Sequence, residues 1–177
     1  YKGLMVWNVT DKSSPKLVFE ECLGDLEAFD EGNLWSSDFP EMVLVQRNDT
    51  EFLVIPLGGL GYAVYNVQSP LAPVKTCLVD AFDAYHVAFR GDIMYLTDSM
   101  YLRILNATDL CAPVEIDNEF ITAGIHNFRL WGDFLFLGSK WNGMNAVLVA
   151  NNTVSNETGI GTTGYADIGA MEVVTLG

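Results

Sequence analysis

A sixteen-residue pattern returns three times in this chain. Residues 3–18 read GLMVWNVTDKSSPKLV, residues 61–76 read GYAVYNVQSPLAPVKT and residues 101–116 read YLRILNATDLCAPVEI. Superposed, Leu4, Tyr62 and Leu102 coincide, as do Val6, Val64 and Ile104. So do Asn8, Asn66 and Asn106, and Pro15, Pro73 and Pro113, with the same seven-residue Asn-to-Pro spacing in each copy. A period near 40 residues built from short apolar runs predicts an all-β fold of the β-propeller type.

Ahead of each motif stands a pair of apolar runs: 42–57, 86–99 and 126–139. Asp49, Asp92 and Asp133 align between the runs, preceded by Asn48, Gly91 and Gly132. Asn-Asp or Gly-Asp between apolar segments is hairpin chemistry, because these residues accept positive φ at low cost. One unit therefore comprises four antiparallel strands. In the clearest copy they are expected at 86–89, 93–97, 101–105 and from 114 to 116. The proline ahead of the last strand ends ladder pairing there. Apolar residues on both parities, Leu102 and Ile104 against Tyr101 and Leu105, fit sheets packed on both faces.

Domain organisation follows as one partial propeller over 1–177, with roughly three and a half blades. Residues 1–23 hold a partial blade, 24–40 an insertion, 41–79 and 86–120 full blades, and 126–177 a further blade plus a terminal strand. In that last blade, 146–150 is expected as strand three, with Asn151 at the repeat-Asn position and 166–176 as either its fourth strand or the first strand of a neighbour. Residues 158–164, TGIGTTG, are expected as a loop. Propellers close with four to eight blades. The ring is thus expected to be incomplete within this chain, which begins inside a repeat and reads as a processed product or a piece of something longer.

The consensus G-D-x-x-Y/F-L, then x-L-x-I/V-x-N-x-T/S-D, then P-V, resembles the LVIVD-repeat family. Val64-Tyr65-Asn66-Val67 and Ile104-Leu105-Asn106-Ala107 stand where that family carries its I-I-D-V core. The resemblance covers nearly everything outside 24–40 and 153–177. It implies a propeller fold and extracellular or cell-surface proteins, with no catalytic machinery to carry over. Asn replaces the family's Asp at positions 8, 66 and 106. A turn-capping role survives that exchange; a carboxylate role does not.

Charge narrows the partners. Nine basic residues face 23 acidic ones, a net charge of −14. Such a surface repels phosphate backbones, which argues against nucleic acid. No apolar run reaches the length of a membrane-spanning helix. Five Asn-X-Ser/Thr triplets occur, at Asn8, Asn48, Asn106, Asn151 and Asn156. Twelve asparagines would give roughly one or two by chance. The excess favours a secreted glycoprotein; the alternative reading at Asn8, Asn106 and Asn151, which share one repeat position, is turn chemistry at a strand end. Of the three cysteines, Cys22, Cys77 and Cys111, at most two pair within the chain. Buried thiols and a disulfide are both open readings.

Chemistry is sparse. His86 and His126 precede first strands at comparable places, where they are weak metal candidates near a channel mouth. The bland alternative is a histidine bonded to neighbouring backbone. Glu20-Glu21, Asp30-Glu31 and Asp80 with Asp83 lack calcium-loop spacing and read as solvated loop charge. Gly58-Gly59-Leu60-Gly61 joins strands and reads as a hairpin loop rather than a phosphate cradle. Trp35, Phe39, Trp131 and Trp141 are candidate sugar-stacking or packing aromatics. No nucleophile motif and no cofactor motif is present. The expected function is a non-enzymatic extracellular structural or interaction module. Trp35 and Phe39 are its contact residues, and its partner is another protein or further repeats, with glycans as a further possibility. The alternative is a secreted enzyme or carbohydrate-binding propeller with its site at the channel mouth.

Overall fold

A computed structural model describes residues 3–23, 41–98, 100–121, 125–139, 143–149 and 155–160. Fourteen strands and no helix occur among them. They form four antiparallel sheets, each a meander in chain order. The first holds β1 (Gly3–Asn8) and β2 (Lys16–Cys22). The second holds β3 (Val43–Arg47), β4 (Thr50–Pro56), β5 (Tyr62–Asn66) and β6 (Val74–Val79). The third holds β7 (His86–Arg90), β8 (Ile93–Thr97), β9 (Tyr101–Asn106) and β10 (Val114–Phe120). The fourth holds β11 (Ile125–Trp131), β12 (Phe134–Ser139), β13 (Gly143–Leu148) and β14 (Ser155–Ile160).

Local chemistry fixes the turns. Asn48 and Asn48's neighbour Asp49 take φ of 47° and 61°, the type I′ pattern that joins twisted strands. Gly91 and Gly132 open the equivalent turns at φ 55°. Between third and fourth strands, the repeat asparagine caps the chain reversal. Its Oδ1 accepts a 3.0 Å bond from the backbone N–H two residues on, in Asn8–Thr10, Asn66–Gln68 and Asn106–Thr108. A tight turn follows, with the carbonyls of Asp11, Ser69 and Asp109 accepting from Ser14, Ala72 and Ala112. Pro15, Pro73 and Pro113 then admit β2, β6 and β10.

The sheets stack in chain order, and each adjoining pair shares a core. Leu4, Val6, Phe19 and Leu23 pack on Ile55, Ala63 and Tyr65. Val45, Val54, Tyr62 and Val64 meet Val87, Met94, Leu96 and Leu105. Tyr95, Leu102 and Ile104 meet Phe128, Leu135, Leu137 and Val147. Successive residues of β5 and β9 thus serve opposite neighbours, so both faces of the middle sheets are buried. Met5 and Trp7 alternate with the buried Leu4 on β1 and are about half exposed, at 46% and 50%. Trp131 and Phe134 are similarly exposed on the fourth sheet.

The fourth repeat departs from the sequence reading in three places. Strand three is Gly143–Leu148 rather than 146–150. Leu148 pairs with Phe134 as Asn106 pairs with Ile93, and Val149 N–H bonds Asp133 O as Ala107 N–H bonds Asp92 O. Leu148, not Asn151, therefore holds the repeat-Asn position. This copy lacks both the capping asparagine and the proline at the equivalent positions, and the Asn-Asn-Thr triplet gave a false register. Strand four is Ser155–Ile160, so residues 158–160 of the expected loop lie in a strand. Residues 166–176 lie outside the described residues.

Candidate functional site

One edge of the stack is built from β3, β7 and β11, the first strand of each four-stranded sheet. Each strand ends at a hairpin tip, and two of the three end on arginine. Arg47 donates from Nη2 to the carbonyl of Gly91 at 2.7 Å, and its Nε stands 3.4 Å from the Asp92 carboxylate. Arg90 repeats the reach into the next sheet, bonding the Gly132 carbonyl and, at 3.1 Å, Asp133 Oδ1. Each guanidinium lies over an aromatic ring, Arg47 5.6 Å from Phe89 and Arg90 5.7 Å from Tyr95. Every such arginine clasps the tip of the sheet that follows. At the third tip the position is Trp131, which packs near Phe136 at 6.5 Å. The signal was present in the sequence as Arg47-Asn-Asp, Arg90-Gly-Asp and Trp131-Gly-Asp. Turn chemistry explained the Asp, and no local rule pointed to a partner 40 residues away for the Arg.

Below the tips an open groove of about 400 Å³ runs between the same three strands. Met42, Leu44, Ala88 and Phe128 line it, and Glu41 closes one side by bonding Arg129. The groove walls are largely apolar, and the Glu41 carboxylate on its rim is paired with the Arg129 guanidinium.

His86 sits at the start of β7 with Nε2 3.2 Å from the Ile125 carbonyl. Its ring stacks on Phe128 at 6.3 Å. The His126 side chain, Trp35, Phe39, Trp141, Asn151 and the pair Asp30-Glu31 lie outside the described residues, as does the side chain of Asn156. Among the described residues no group of three metal-ligating side chains occurs. Asn8 and Asn106 use their side-chain oxygens as turn caps, whereas Asn48 stands exposed at a hairpin tip.

Away from that edge, one network ties the first sheet to the second, and another braces the third sheet. Glu21 of β2 accepts from Tyr65 Oη at 2.9 Å and from Lys75, both in the second sheet. The lysine holds the Glu21 carboxyl below the usual range, and burial drives the Tyr65 phenol up. Glu20, its sequence neighbour, is exposed, as are Asp80 and Asp83. Arg103 joins Asp98 at 3.1 Å and Glu115 at 2.5 Å while lying over Phe82. Asp98 is nearly buried and also caps the β8–β9 turn, accepting from the N–H groups of Met100 and Tyr101. Cys77 and Cys111 form a disulfide between the second and third sheets, and Cys22 is exposed outside it. The two open readings of the cysteines are resolved for that pair.

No family model and no curated protein matches the chain. The likeness to LVIVD repeats therefore rests on the residues quoted above. No helix among the described residues is long and apolar enough to cross a membrane.

Proposed function

We propose that this chain is a propeller-type repeat array, similar to LVIVD proteins, serving as a non-enzymatic extracellular interaction module of a surface glycoprotein. The observation that carries the reading is the stack itself. Four sheets follow one another with shared cores, and both end sheets turn half-exposed large apolar residues outward, Met5 and Trp7 at one end and Trp131 and Phe134 at the other. Apolar end faces of this kind are where a further sheet or a protein partner packs. The Cys77–Cys111 bridge suits an oxidising compartment, and the exposed Asn48 triplet, whose asparagine sits at a hairpin tip, supports glycan acceptance.

The test is secretion of the full chain from glycosylation-competent cells. The chain should leave the cell oxidised at Cys77 and Cys111, and it should lose mass on enzymatic deglycosylation, with Asn48→Gln removing part of that loss. It should also migrate as an assembly in size-exclusion chromatography that Trp35→Ala or Phe39→Ala weakens. An unglycosylated, reduced monomer would refute the reading.

A further inference from the structure

The forward clasp leaves one acceptor without its donor. Arg47 holds the Gly91–Asp92 tip and Arg90 holds the Gly132–Asp133 tip. The first tip in the row, Asn48–Asp49, holds the same place in its sheet and carries the same exposed aspartate, with both of its residues at positive φ where only the glycine is so at the other two. Among the described residues no guanidinium reaches it. The sheet that would supply one is the first, and that sheet consists of β1 and β2. β1 corresponds to β5 and β9. Each of those is hydrogen-bonded on both edges, to β4 and β6 and to β8 and β10, whereas among the described residues β1 pairs with β2 alone.

A single object satisfies both positions: a β-hairpin equivalent to β7–β8. Its second strand would extend the first sheet at the β1 edge by strand addition. An arginine immediately before its two-residue turn would rest on the Asp49 carboxylate, as Arg47 does on Asp92 and Arg90 on Asp133. We infer that the β1 edge and the Asn48–Asp49 tip form one docking site for such an arginine-bearing hairpin of the same repeat class. The inference deepens the stacked-repeat reading above and rests on it.

The chain's own residues do not supply that arginine. It has four, and Arg47, Arg90, Arg103 and Arg129 are all engaged with carboxylates. A second copy stacked end to end would present the fourth sheet, whose donor position is Trp131. Charge complementarity therefore selects a hairpin from another segment over self-association.

The probe is a cyclised peptide carrying the sequence of residues 86–97, titrated into isotope-labelled protein and followed by amide NMR. Cyclisation is needed because an isolated hairpin is marginal in water. Shifts should appear at Gly3–Asn8 and at Asn48 and Asp49, with slowed hydrogen exchange along β1. Replacing the peptide's arginine by alanine should weaken binding about tenfold. Asp49→Asn, which keeps a residue tolerant of positive φ, should weaken it about threefold. Asp92→Asn, at a tip already held by Arg47, should leave binding unchanged. No binding at millimolar peptide, binding indifferent to the arginine and to Asp49, or β1 amides already protected by self-association would each overturn the inference. A separate control distinguishes the two levels. If Arg47 and Asp92 also show no coupling in stability, the stacked-repeat reading fails with it; if they do, only the docking site fails.

Discussion

The Tyr62 hydroxyl donates a 2.8 Å hydrogen bond to the carbonyl of Leu110, one residue before the half-cystine Cys111. Two ties, one polar and one covalent, thus converge on the β9–β10 turn from the second sheet. Tyr62 is fully buried and burial raises its phenol well above the usual range, so it stays a neutral donor. Tyr62→Phe keeps the ring and strands a buried carbonyl. It should cost about 1–2 kcal/mol in chemical denaturation without altering the fold.

Removing the covalent tie should cost more. The bridge closes a 34-residue separation. Chain-entropy reasoning gives about 3–4 kcal/mol for a loop of that length. Cys77→Ser with Cys111→Ser should lower the denaturation midpoint accordingly. Reducing agent should move the parent protein to the same midpoint and leave the double variant unmoved.

The β4–β5 loop allows no side chain at Gly61. Its φ is 80°, and a Cβ there would lie 1.8 Å from the Val79 carbonyl oxygen. Gly61→Ala must shift backbone in the middle of the second sheet. It should destabilise by more than about 3 kcal/mol, a size that marks a strained backbone position rather than lost packing. Gly91, where a Cβ meets nothing within 4 Å, should tolerate asparagine with a change below about 1 kcal/mol. Thermal unfolding of the two variants side by side checks the contrast.

Acid should loosen the first sheet from the second. Lys75 and Tyr65 lower the Glu21 pKa in the folded state. A lowered carboxyl contributes stability that is complete above the unfolded value, about 4.3, and is lost as pH falls through the folded one. The loss therefore lies below about pH 4. The pair is partly exposed, so its size is about 0.5–1 kcal/mol. Glu21→Gln should be less stable than the parent at neutral pH, and the gap should close on acidification.

The repeat asparagine separates turn chemistry from glycosylation. Asn106 Oδ1 accepts from both the N–H and the hydroxyl of Thr108. Asn106→Asp keeps that acceptor and should hold stability within about 0.5 kcal/mol, while Asn106→Ala should lose about 1 kcal/mol. Both substitutions remove the acceptor triplet, so any difference between them in urea reports the cap alone.

Much of the fold was legible because its determinants are local. Asn48-Asp49 and Gly91-Asp92 announce their hairpins whatever surrounds them, and Asn106 with Pro113 brackets a reversal within seven residues. The fourth repeat misled because Asn151-Asn152-Thr153 imitates the capping triplet, while its true counterpart Leu148 offers no polar signal. The arginine clasps were harder to see. Arg47 and Asp92 sit in different repeats, and nothing adjacent to either names the other. Cys77 and Cys111 were equally opaque, since their pairing depends on how one sheet lies on the next. Glu21 read as loop charge because its partners, Tyr65 and Lys75, lie more than 40 residues away.

The Cys77–Cys111 bridge also sets where the molecule yields. Among the described residues it fastens only the two middle sheets, so the outer pair depends on non-covalent seams. Warming or a low dose of protease would strip β1–β2 and the β11–β14 meander from a surviving central block spanning roughly residues 43–120. That block, rather than the whole chain, is the smallest piece with a covalently braced interior.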